Sequence, residues 1–251
     1  METGKQRSRA AQFLLAAALV AAFTACASAA DPDPLRDFEP PDSPANYNPP
    51  DLYFKFDLRH AANPADGPGG IIWKANSANF PALRSQGLSS ALFAIRPCGQ
   101  TLPHTHPRAS EIVYVISGGP VLFGFVDTNH TAHLNLLRAG EMTVIPRGML
   151  HFSQNFGTGD VIYFSAFNSQ NPGVITQSKG LFNLPPEVVA TTFSLPLDQV
   201  RAINGSLPVT TAPTLGTSNQ GCVPGVIPPE LTYLDVLAPK GDQNVSAPGG
   251  Y

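Results

Sequence analysis

Apolar and polar positions alternate in short runs through the middle of the chain. Over residues 88–96, Leu92, Ala94 and Arg96 fall on one face of an extended segment, while Phe93 and Ile95 fall on the other. Runs rich in β-branched and aromatic residues follow at 112–116, 121–126, 132–137, 142–145 and 161–167, and a looser one precedes them at 71–80. Ser117-Gly118-Gly119-Pro120 and Arg138-Ala139-Gly140 read as turns between runs, because Gly and Pro supply the backbone angles that tight reversals need. Short strands at even spacing, with no long helical pattern between them, predict an antiparallel double sheet or barrel.

The period changes only after residue 167. Residues 185–193 and 196–203 read as two short helices, each with Pro near its start, where a missing N–H costs nothing. Residues 207–251 are rich in Pro, Gly, Thr and Ser and predict a mostly irregular tail with an edge strand at 231–237. At the other end stand Lys5, Arg7 and Arg9, then an apolar run over 13–23, then small residues to Ala30. That order predicts a secretory signal peptide over 1–30, too short to span a bilayer core. The reading is therefore a signal over 1–30, one domain over 31–206 with a Pro-rich extended arm at its start, and a tail over 207–251.

Composition changes this picture little. A chain of 251 residues, 43% hydrophobic, suits one domain, and its 26 Pro and 22 Gly suit many turns. A net charge of −3 with 15 Lys plus Arg provides no basic field for nucleic acid. Loss of the signal removes Cys26 and leaves Cys98 and Cys222 to pair in an oxidising compartment. Sequons at Asn129, Asn204 and Asn244 agree with secretion.

The chemistry is concentrated in two stretches. His104 and His106 lie two apart, so an extended chain points both the same way, and Glu111 opens the next apolar run. A turn at Pro146-Arg147-Gly148 then presents His151. Three imidazoles and a carboxylate suit Mn, Fe, Zn, Cu or Ni, and four protein ligands leave an octahedral ion two positions for water or substrate, unlike a closed structural zinc site. Asn155 reads either as a residue that orients a ligand or as a turn residue. His60, His130 and His133 have no partner pattern and read as surface residues.

The spacings G-x4-H-x-H-x4-E-x6-G from Gly99 and G-x5-P-x-G-x2-H-x3-N from Gly140 resemble the two cupin motifs. The wording His104-Thr-His-Pro-Arg-Ala-Ser-Glu111, with the segment from Pro146 to Phe152 and Phe167-Asn-Ser-Gln-Asn-Pro-Gly173, is similar to plant germin-like proteins. This resemblance implies an all-β cupin jelly-roll β-barrel with short C-terminal α-helices, and a homo-oligomer up to a hexamer. It also implies manganese held by His104, His106, Glu111 and His151, and an extracellular, apoplastic or cell-wall location. Glu39 stands where the family carries a Cys, so the family's N-terminal disulfide cannot form. Ala91 and Thr101 stand where oxalate-oxidising germins carry Asn. The expectation is thus superoxide dismutation through the metal, yielding hydrogen peroxide, with oxalate oxidation disfavoured. The alternatives are a non-catalytic binding or wall-structural cupin and a metal-dependent nucleotide-sugar pyrophosphatase or phosphodiesterase. Neither nucleic acid nor, after signal cleavage, a membrane is expected as a partner.

Overall fold

The computed structural model describes residues 31, 43–208, 211–217 and 220–236. The expected signal peptide and the Asn244 sequon lie outside the described residues. In chain order the strands are β1 (Ala65–Gly67), β2 (Gly70–Ala75), β3 (Ser89–Ile95), β4 (Gly99–Thr105), β5 (Glu111–Ser117) and β6 (Val121–Val126). Then come β7 (Ala132–Leu137), β8 (Met142–Ile145), β9 (Leu150–Asn155), β10 (Val161–Phe167), β11 (Ile175–Thr176) and β12 (Thr214–Leu215). One sheet runs β1-β2-β3-β10-β5-β8; the other runs β11-β4-β9-β6-β7, with β12 also pairing with β4.

The alternation seen in the sequence decides which face each strand buries. In β5, Val113 and Val115 are buried while Ile112, Tyr114 and Ile116 face outward. Val161, Tyr163 and Phe167 of β10 join them, and Val121 and Phe123 of β6 meet them from the other sheet. Phe93 stacks on Tyr163 at 4.3 Å between ring centroids, and Phe123 approaches Tyr163 edge-on at 5.0 Å, geometries that aromatic quadrupoles favour.

The expected closed, all-β barrel does not form. Among the described residues the sheets stay open, with β1 and β8 at the edges of one and β7 and the β11/β12 side at the edges of the other. Three α-helices, α1 (Gln177–Phe182), α2 (Pro186–Phe193) and α3 (Leu197–Ser206), make the fold mixed α/β. Alternation reports which face is buried, not whether the outermost strands pair, and the edge strands other than six-residue β7, at two to four residues each, lay down too little ladder to close a barrel.

Other expectations fail for local reasons. The run at 71–80 ends as a strand at Ala75, where Asn76 and Asn79 fold it into a turn: Asn79 Oδ1 accepts from Asn76 N at 2.9 Å, and Asn76 Oδ1 accepts from Ala78 N at 2.9 Å. Of the Pro-rich arm, the described residues 43–50 make a 3₁₀ turn at Pro44–Asn46, and further 3₁₀ turns follow at Pro50–Phe54, where Tyr53 is buried, and at Leu58–His60. In the tail, 229–234 is a 3₁₀ turn rather than a strand, and it packs Leu231 and Leu234 on a second cluster of Cys98, Leu122, Leu136, Phe156 and Cys222. Cys98 and Cys222 are joined in a disulfide, with Cα atoms 5.8 Å apart across a separation of 124 residues. No described helix is long and apolar enough to cross a membrane.

Candidate metal centre

β4 and β9 pair so that His104 and His151 are direct register partners. His106 follows β4 immediately, and Gly148 N–H donates to its carbonyl at 3.1 Å, which fastens the turn of the second stretch to the first. Gly148 has φ +76°, a conformation that glycine adopts without a Cβ penalty. Glu111 begins β5 in the opposite sheet and points inward. The centre therefore lies between the sheets, with imidazoles from one side and a carboxylate from the other.

Each imidazole is oriented by the backbone. Nδ1 of His104 donates to Leu102 O at 2.7 Å, Nδ1 of His106 to Gly173 O at 2.6 Å, and Nδ1 of His151 to Met149 O at 2.8 Å. A carbonyl can only accept, so each Nδ1 carries a hydrogen, and in the neutral imidazole Nε2 keeps its lone pair. The ligand atoms of the three histidines lie within 4.8 Å of one another. Glu111 Oε2 stands 3.6 Å from His106 Nε2 and 3.2 Å from His151 Nε2, yet the buried His151 Nε2 makes no aligned hydrogen bond. Lone pairs gathered around one buried point repel one another, and a bound cation turns that repulsion into attraction. The residues present thus fit a metal ion.

Electrostatics agree. Burial, then the neighbouring His151 and His106, push the His104 pKa down to about 3, and burial likewise lowers that of His106. Burial alone would raise Glu111, but the His151 and His106 imidazoles and the Ser165 hydroxyl outweigh it and hold the carboxyl below its usual range. Neutral imidazoles beside an ionised carboxylate are the protonation states that metal ligation requires.

The structure also locates residues that sequence reasoning placed differently or missed. Asn155 is fully buried, but its amide donates to Ile95 O and Gly159 O, both at 2.9 Å, and accepts from Gly157 N at 2.8 Å, so these bonds hold a turn rather than a histidine. Thr101 Oγ1 accepts from Ser153 N at 2.8 Å and sits 2.9 Å from Ser153 Oγ, which in turn sits 2.8 Å from Tyr163 Oη. The segment 168–173 does more than leave β10. Its Gly173 orients His106, Asn168 Oδ1 accepts from Ser110 N at 2.8 Å, and Ser169 Oγ donates to Asp31 at 3.1 Å. The sequence wording marked this segment without revealing its use. His104 and His106 line an open cleft of about 640 Å³, solvent-filled mouth included, whose wall also carries Lys74, Ser90, Ala91, Thr101, Thr176 and Thr211.

Two facing antiparallel sheets that enclose converging imidazoles and a carboxylate define a metal-binding cupin. A cupin family model matches residues 57–201. Germin-like protein 1-1 of Oryza sativa subsp. japonica is 36% identical over 202 residues, covering 75% of this chain and 93% of that protein. Germin-like protein subfamily 1 member 7 of Arabidopsis thaliana is 32% identical over 211 residues, covering 76% and 92%. The chain belongs to the germin-like proteins of the cupin family.

Among solved structures, recombinant oxalate oxidase in complex with glycolate matches with a TM-score of 0.62 and 30% identity, covering 70% of this chain and 96% of that one. This finding overturns the expectation of superoxide dismutation with oxalate oxidation disfavoured. That expectation treated Ala91 and Thr101 as the places where polar groups had to come from. Thr101 is indeed turned toward Ser153, but β2 brings Lys74 into the same cleft, a group that the spacing of the two motifs does not reveal.

Proposed function

We propose that this protein is a secreted, metal-dependent oxidase of a small carboxylic acid, of the class to which oxalate belongs. The supporting observation is the convergence of three imidazoles, two of them within 3.2 and 3.6 Å of the Glu111 carboxylate, beside an open cleft that His104 and His106 line. His104, His106, Glu111 and His151 would hold the ion, and the germin-like wording of the two motifs favours manganese among the metals that this donor set accepts. When bound, a redox-active ion would relay electrons from oxalate to dioxygen, so that oxalate, dioxygen and two protons give two carbon dioxide and one hydrogen peroxide.

The chain's own residues supply orientation and charge. The carbonyls of Leu102, Gly173 and Met149 fix the tautomers, Glu111 supplies negative charge, and the apolar inner faces behind the centre exclude water. The protein is further proposed to work outside the cell as a homo-oligomer.

The decisive test is the manganese-loaded protein given oxalate, with peroxide and carbon dioxide both measured. Oxidation well above that of free manganese, with metal content and activity lost together in His151→Ala, is the expected result. Full manganese occupancy without oxidation would leave a non-catalytic binding protein.

A further inference from the structure

Alternation in β2 sends Ile72 and Lys74 to the same side. Ile72 enters the main core, whereas Lys74, two residues on, reaches the cleft wall beside His104 and His106. Among the described residues it is the only lysine or arginine lining that cleft. Its register partner on β3 is Ala91, whose methyl group offers neither charge nor hydrogen bond. The side chain is half-buried, and burial lowers its pKa with no acidic group opposing the shift. Among the described residues no ion pair is formed by its ammonium, yet its charge is felt at His106.

A half-buried ammonium without a counter-charge is an unfavourable arrangement, and it is worse beside a centre built to take up a cation. An anion lying between the two relieves both. The hydroxyls of Ser90, Thr176 and Thr211 on the same wall can donate to such an anion but cannot balance its charge.

We propose that Lys74 is the substrate-anchoring residue of the cleft. Its ammonium pairs with one carboxylate of a short dicarboxylic acid whose other carboxylate faces the histidine cluster. This rests on reading the centre as a metal-dependent carboxylate oxidase and specifies its preferred substrate: an acid with a second carboxylate, rather than a neutral or singly charged molecule. Lysine suits the task as a compact charge on a flexible stem.

The test uses Lys74→Met and Lys74→Arg, loaded with manganese and checked by elemental analysis. Oxalate binding is followed by calorimetry and oxidation by steady-state kinetics. Lys74→Met is expected to keep its manganese, to melt no lower than the parent, and to bind oxalate roughly tenfold or more weakly, the size expected for one partly desolvated charged contact. KM should rise by a similar factor, with a smaller change in kcat. Lys74→Arg should retain affinity within a few-fold, and added salt should weaken binding in the parent more than in Lys74→Met. Oxalate binding unchanged in Lys74→Met overturns the proposal. So does manganese loss in Lys74→Met comparable to that in His151→Ala, because Lys74 would then support the centre's structure. If the parent oxidises oxalate and Lys74→Met does so equally well, this inference fails and the oxidase reading stands. If oxalate binds through Lys74 without being oxidised, the reverse holds.

Discussion

At the scale of residues, the His104 and His106 imidazoles are held neutral in a place where a proton is as unwelcome as a metal ion is welcome. His104, at about pKa 3 in the folded protein against 6.5 ordinarily, gives this a measurable sign. Between those values the unfolded chain takes up a proton that the folded chain refuses, so folding loses free energy as pH falls through the window and flattens below about pH 3. His106, also depressed, acts in the same sense. Denaturant titrations of metal-stripped protein at pH 7, 5 and 4 should show stability falling with pH, and less steeply in His104→Asn. A stability independent of pH across that range would contradict the account. In the sequence, strand alternation put His104 and His106 on one face, while Glu111 and His151 joined them only through the resemblance of the two motifs. Lys74 was not legible, since a lysine in an apolar run looks the same whether it reaches solvent or a cleft, and Thr101 gave no sign that Ser153 would engage its hydroxyl and pass the contact on to Tyr163.

At the scale of elements, β4 carries the first imidazole and is held along both edges. β9 pairs along one edge, while β11 and β12 pair with opposite ends of the other, at His104–Thr105 and at Gly99–Gln100. β12 is tied down in turn by the Cys98–Cys222 disulfide and by the hydrogen bond from Gly216 N to Cys98 O at 2.9 Å. Replacing Cys222 with Ala should cost roughly 4–5 kcal/mol by the chain-entropy account of a loop this long, read as a lower melting temperature and earlier cleavage of the tail in limited proteolysis. An unchanged melt would show that the tail contributes nothing to the fold. Strongly apolar strands such as β5, β6 and β10 were legible because hydrophobic residues dominate their inward faces, with Glu111 and Ser165 as the polar exceptions. β4 and β9 were not, because Gln100, Thr101, His104, Ser153 and Gln154 interrupt the apolar pattern: the residues that make the site disguise the strands that carry it. β11 and β12, at two residues each, lie below what periodicity detects.

At the scale of the whole molecule, the outer face of the first sheet is unusually apolar. Ile112 pairs across to Val144 and Tyr114 to Met142, and all four side chains are more than 40% exposed among the described residues. A contiguous apolar face of this kind is typical of a surface covered by another subunit. The expected state in solution is a multimer, and Val144→Glu should shift the mass measured by analytical ultracentrifugation toward the monomer; a monomeric parent at micromolar concentration would count against this. The bracing of β4 bears on kinetics as well as stability. With both edges of the ligand strand paired and its far end cross-linked, the centre cannot open by fraying, so an ion would leave through the cleft mouth, where Thr211 of the tail forms part of the wall. Chelators should then strip the metal slowly, at a rate set by passage through the cleft. A mild reductant that frees the tail should speed the loss well before the fold gives way, making the lifetime of the bound ion a property of a disulfide that touches none of its ligands.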